Sequence, residues 1–133
     1  MTHERETHRD VGFGRSDAKS VTIPTGNNGG NLEALNLGRN YAYLVIKCSN
    51  LTGIQASTSL TAQVAYDDSD ALCTLYERDD PATQWSKTLP TSGSAAFCLV
   101  HALGAQKIKL GLSKNTTAAV TFTVYGFAES VAG

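Results

Sequence analysis

A period of two in hydrophobicity constrains this chain more than any other feature. In "QKIKLGLS", Ile108, Leu110 and Leu112 fall on one side of an extended backbone, and Lys107 and Lys109 on the other. In "AVTFTVYGF", Val120, Phe122 and Val124 share one face while Thr121, Thr123 and Tyr125 take the opposite one. In "LTAQVAY", Leu60, Ala62, Val64 and Tyr66 alternate with Thr61, Gln63 and Ala65. Successive side chains of a strand point to opposite faces, so this pattern belongs to strands with one buried side. Helical periodicity is weak throughout. "YAYLVIKC" is apolar on both faces, which predicts a central, well-covered strand.

Turn residues punctuate these runs. "PTGNNGG" divides a strand near 21–23 from one near 32–37, and "LGRN" leads into 41–48. "DDSD" precedes 71–77, "RDDPAT" precedes 84–88 and "PTSGS" precedes 95–101. "LGAQ" joins 95–101 to 106–112, and "SKNTT" leads into the last strand. About eight or nine short strands with little helix predict an all-β fold, a single β-sandwich with jelly-roll-like order. Residues 1–19 have mixed charge and no period, and read as an extended polar arm preceding a domain at 20–133. An arm of this composition becomes ordered when it lies against a partner, which offsets its conformational entropy.

With 133 residues the chain is one domain by length. Its formal net charge of −1 provides no broad field to gather nucleic acid or an anionic membrane surface. No apolar run approaches the roughly 20 residues of a membrane-spanning helix. The charged first residues lack the apolar segment of a secretory leader, so synthesis in the cytoplasm is expected. Cys48, Cys73 and Cys98 are an odd set without close pairing. They read as small core hydrophobes rather than zinc ligands or a disulfide framework.

Candidate chemistry is thin. The acidic cluster "YDDSD" (Asp67, Asp68, Asp70) has the oxygen ligands a calcium ion prefers. An EF-hand loop begun at Asp68 would put Cys73 where the sharp turn needs glycine, so a solvated turn is expected. Asp79 and Asp80 before Pro81 read likewise. Cys98 and His101 are three apart on a strand and point to opposite faces, which argues against a thiol–imidazole pair. "GFG" and "GNNGG" lack the strand–turn–helix context and lysine of a phosphate loop. No catalytic residue, metal ligand or cofactor is therefore expected, and the chain reads as noncatalytic. Trp85, Tyr76 and Tyr125 are candidate exposed aromatics that could fill a protein interface or stack on a sugar ring, and they could equally cap the core.

The span 39–127 resembles small β-sandwich proteins encoded in the structural gene clusters of tailed phages and prophages. The resemblance rests on the "YLVIKCSN" strand, the "LYERDDPATQWSKTLPTSG" and "FCLVHALGAQKIKLGLS" hairpins and the final "YGF" strand. It implies a virion structural protein, first of all a capsid decoration or cement protein on the capsid exterior. Such proteins are commonly trimers whose N-terminal arms reach across coat subunits. The implied partners are the major capsid protein and further copies of the chain, with no direct nucleic-acid or membrane contact. On that reading Arg5, Arg9, Arg15 and Lys19 would meet coat carboxylates, and Glu4, Glu6, Asp10 and Asp17 basic groups. The alternatives are a carbohydrate-binding module or a tail, neck or fibre component of the same architecture.

Overall fold

The computed structural model describes residues 18–48, 50–67, 71–77, 79–93 and 96–127, with the backbone alone for 96–103. Seven strands form among them: β1 (Lys19–Ile23), β2 (Leu35–Cys48), β3 (Ser59–Ala65), β4 (Cys73–Thr74), β5 (Ser86–Thr88), β6 (Ala96–Leu112) and β7 (Val120–Phe127). The described residues contain no helix, so the all-β expectation holds. All seven strands belong to one antiparallel sheet of order β1-β7-β2-β6-β3-β4, with β5 also on β3. The sheet curls into a half-barrel, in keeping with the β-sandwich class.

Within the described residues, two glycines read as turn formers lie inside strands. Gly38 (φ 85°) and Gly104 (φ 89°) occupy the left-handed region that residues bearing a Cβ rarely adopt. There they bend a strand without ending it. Segments expected as separate strands therefore fuse into β2, of 14 residues, and β6, of 17. The pairing of β2 with β6 shifts register between Asn36 and Tyr41 and again before Tyr43, and Tyr41 stands opposite Ala105. Such irregularities bend a sheet and increase its twist. Asn40 Nδ2 ties the bend together by donating to the Gly104 carbonyl (2.7 Å) and the Tyr66 carbonyl (2.8 Å).

Beyond the bend the two long strands acquire different neighbours. One half of β2 pairs with β7 and with residues 96–101 of β6, while the other half of β6 pairs with β3 along 107–112. A single core lies inside the curl. Leu44, Ile46, Leu60, Ile108, Val120, Phe122 and Val124 are fully buried there, contributed by every long strand. Full burial of such a side chain contributes about 1.5–3 kcal/mol. The residues that alternate with them face outward, as the period of two predicts.

β4 and β5 form one interrupted edge strand. Thr74 stands opposite Gln63, the Leu75 amide donates to the Ala62 carbonyl, and Ser86 stands opposite Thr61. Between Leu75 and Ser86 the chain leaves the sheet as a hairpin, closed by the Tyr76–Gln84 bridge and by the Trp85 amide on the Leu75 carbonyl. Its turn is built by Asp80. One carboxylate oxygen accepts from the Ala82 amide (3.2 Å) and the other from the Thr83 hydroxyl (2.6 Å), as expected for a solvated acidic turn.

Two loops close the same end of the curl. Buried Thr116 donates its hydroxyl to the Pro24 carbonyl at 2.6 Å. The Thr116 amide donates to the Asn27 carbonyl, and the Leu112 amide to the Asn28 carbonyl. The segment 27–30 thereby runs beside the end of β6. One expectation is corrected here: Cys48 is buried, but Cys73 is exposed on β4, a two-residue strand at the edge of the described sheet.

Candidate functional site

Outward-facing residues divide into two surfaces, one on each side of the Gly38–Gly104 bend. The first covers β1, β7 and β2, with the backbone of the start of β6 paired beside β2. Directly opposed residues of an antiparallel pair share a face, so the register lists its rows. Phe127 stands opposite Tyr43, and Tyr43 opposite His101. Tyr125 stands opposite Val45, and Val45 opposite Leu99. Thr123 stands opposite Lys47, and Lys47 opposite Phe97. Tyr43, Val45, Tyr125 and Phe127 are half-buried, leaving apolar and aromatic surface at the middle of a sheet face. Toward β1 the face turns hydroxyl-rich, with Ser20 and Thr123 at 3.0 Å and Thr22 and Thr121 at 2.8 Å. Lys19 begins β1 opposite Val124, the chain neighbour of Tyr125, and is exposed. The outer edge of β1 pairs with no other described strand.

The second surface is a groove of about 300 Å³ across the outer face of β3 and β6. Its floor holds Thr61, Gln63, Lys109 and Gly111, and its sides are the Gly29–Gly30 backbone and Thr74 with Gln84. The register builds it. Gly111 and Thr61 are opposed, as are Lys109 and Gln63, and Gln63 faces Thr74 across the next ladder. Lys109 Nζ donates to the Gly30 carbonyl at 2.8 Å, which fixes one wall to the floor.

The sequence-derived candidates fall unevenly on these surfaces. Tyr76 is 47% exposed, on the hairpin beside the groove, and Tyr125 lies half-buried on the sheet face. Of the two places open to Trp85, surface and core, it takes the core: it is only 5% exposed, so it offers no exposed aromatic contact. The hairpin's return arm alternates, so that Gln84 points outward and Trp85 inward. Lys19 is exposed at the root of the arm. Arg5, Arg9, Arg15, Glu4, Glu6, Asp10 and Asp17 lie outside the described residues, as do Asp68 and Asp70 of the acidic cluster. The position of His101 is known only by register, opposite Tyr43. The described residues bring no three histidine, cysteine, aspartate or glutamate side chains together as a metal site. The groove residues were missed at sequence level. Thr61, Gln63 and Lys109 were visible only as the polar half of an alternation, and nothing local says which polar faces will adjoin.

Burial raises the Cys48 thiol above its ordinary value of 9.0, with a smaller opposing effect from the hydrogen bond it donates to the Asn50 carbonyl. The thiol is therefore neutral and part of the core at physiological pH. No protein-family model matches this chain, and no curated protein shows significant similarity to it. The class is thus set by the fold alone: an all-β protein built from one curled antiparallel sheet, presenting an apolar sheet face and a polar groove.

Proposed function

We propose that this chain is a noncatalytic structural protein of a tailed-phage virion, a decoration protein that sits on the capsid exterior and bridges coat subunits. The observation that carries the reading is the sheet face around Tyr43, Val45, Tyr125 and Phe127, bordered by β1, the first described strand. A central apolar patch with a polar rim is the anatomy of a protein interface. Lys47 is the one ionised side chain among its described outward residues, so copies of the chain meet there without strong repulsion. The adjacent edge of β1, unpaired among the described strands, is a strand margin that proteins ordinarily cover.

In this reading three copies associate through the sheet face and the β1 edge. Their arms, with Arg5, Arg9, Arg15, Glu4, Glu6, Asp10 and Asp17, then extend over neighbouring coat subunits. A single exposed ion pair contributes only about 0–1 kcal/mol. Three linked arms engage as one unit, so the second and third bind at high effective concentration.

Co-sedimentation with expanded coat shells of the same phage tests the reading. The full chain is expected to pellet with shells. A chain lacking residues 1–17 should remain folded and lose most of its binding, and Tyr125→Asp should give monomers that bind weakly. Equal shell occupancy by all three proteins would sink the proposal.

A further inference from the structure

The groove across β3 and β6 has a chemistry of its own, independent of the virion reading. Its polar side chains are uncommitted: within the described residues, Thr61, Gln63, Thr74 and Gln84 make no side-chain hydrogen bond. Each glutamine amide offers two donors and an acceptor, and each hydroxyl can donate and accept. These groups lie along one line, since Gln63 is flanked in register by Lys109 on one side and Thr74 on the other. Gly111 opposite Thr61 contributes no side chain, so the floor is lowest there.

An aromatic ring stands at the rim. Tyr76 is two residues beyond Thr74 and directly bridges Gln84, and both of those residues line the groove. Residues two apart on a strand share a face, as do directly opposed residues. The Tyr76 ring, 47% exposed, is therefore on the groove side of the hairpin. Leu75 and Trp85 alternate with it into the core, which fixes the base of the platform.

Charge and polarity narrow the ligand. Among the described lining residues Lys109 is the only ionic one, and its ammonium is already held by the Gly30 carbonyl. A polyanion would call for several cations, and an apolar ligand for an apolar lining. Neutral amides and hydroxyls match instead a neutral ligand rich in hydroxyls that both donate and accept. Such a ligand with an apolar C–H face also suits an exposed aromatic ring. The volume lies at the small end of ligand sites. We propose that this groove binds a neutral saccharide of one or two rings, with Gln63, Gln84, Thr61 and Thr74 hydrogen-bonding its hydroxyls and Tyr76 stacking on one ring.

The test is an amide chemical-shift titration of the isolated full chain with glucose, galactose, mannose, N-acetylglucosamine, maltose, cellobiose and chitobiose. At least one sugar is expected to move the amides of residues 61, 63, 74, 76, 84 and 109–111 as one cluster. Gln63→Ala, Gln84→Ala and Tyr76→Ala should each weaken that sugar about tenfold, the loss expected for one charge-neutral contact set. Their melting temperatures should stay unchanged, because all three positions are exposed. Tyr66→Ala, at an exposed tyrosine outside the groove lining, should bind as the parent does. The proposal is overturned if no sugar in the panel moves the cluster, or if the shifts persist in the Gln63→Ala/Gln84→Ala double variant. No phage particle enters this experiment, so its outcome is separate from that of the shell-binding test.

Discussion

The two described cysteines sit in opposite environments, and their chemistry should differ accordingly. Cys73 is exposed on β4, whereas Cys48 is buried with its thiol pushed up by desolvation. A thiol reagent at neutral pH should modify Cys73 quickly and Cys48 only on unfolding, as mass spectrometry of the labelled peptides would show. Comparable labelling of both in the native protein would contradict the core assignment. The same shift has a sign in stability. The unfolded chain releases the Cys48 proton near 9.0 and the folded chain at higher pH. Its contribution is full below that range and lost as pH rises through the folded value. Cys48→Ala should flatten the alkaline fall in stability measured by denaturant midpoints; an unchanged slope would dissociate it from this thiol. Gly126 makes a different kind of demand. A Cβ there would stand 2.6 Å from the buried Tyr41 ring, across which Arg39 lies at 5.6 Å. Gly126→Ala should destabilise by about 1–3 kcal/mol, the usual range for overpacking.

At the scale of elements, the edge strand carries the most informative case. The hairpin between Leu75 and Ser86 interrupts β4–β5 without disturbing their common register on β3. Trp85 anchors its return arm in the core, while Tyr76 stays outside. Trp85→Ala should therefore cost about 3–5 kcal/mol, and Tyr76→Ala should fall within about 0.5 kcal/mol of the parent. Because Trp85 is the only tryptophan, native fluorescence should be blue-shifted and move red on unfolding. A solvent-like native spectrum would contradict its burial. The alternation at 106–112 and 120–125 was legible in the sequence and agrees with β6 and β7, since a period of two is a local consequence of strand geometry. Gly38 and Gly104 were legible as glycines but not as bends. Whether a left-handed residue ends a strand or kinks it depends on what pairs beyond it, and here Asn40 and the continued β2–β6 ladder decide. The side of Trp85 was not legible because its neighbours in "TQWSK" are polar, while its orientation follows from the hairpin's bridge to Tyr76. The groove was illegible for a related reason: Gln63 meets Lys109 only through a register between residues far apart in the chain.

At the scale of the whole molecule, one curled sheet separates two surfaces of different character. The apolar sheet face and the β1 edge, which no other described strand covers, lie on one side of the bend, and the polar groove on the other. On the proposed reading, copies would associate through the first surface and leave the second open. Native mass spectrometry of the isolated protein should give a trimer that Tyr125→Asp dissociates; a monomer in both would remove the self-association step. The central claim, a place on the shell, is tested most directly by cryo-EM of virions from the strain that encodes this chain. The account predicts curled sheets clustered in threes on the outer surface of the expanded capsid, with residues 1–17 running across adjacent coat subunits. Particles that lack the chain, or hold it only at a single vertex or in the tail, would contradict it.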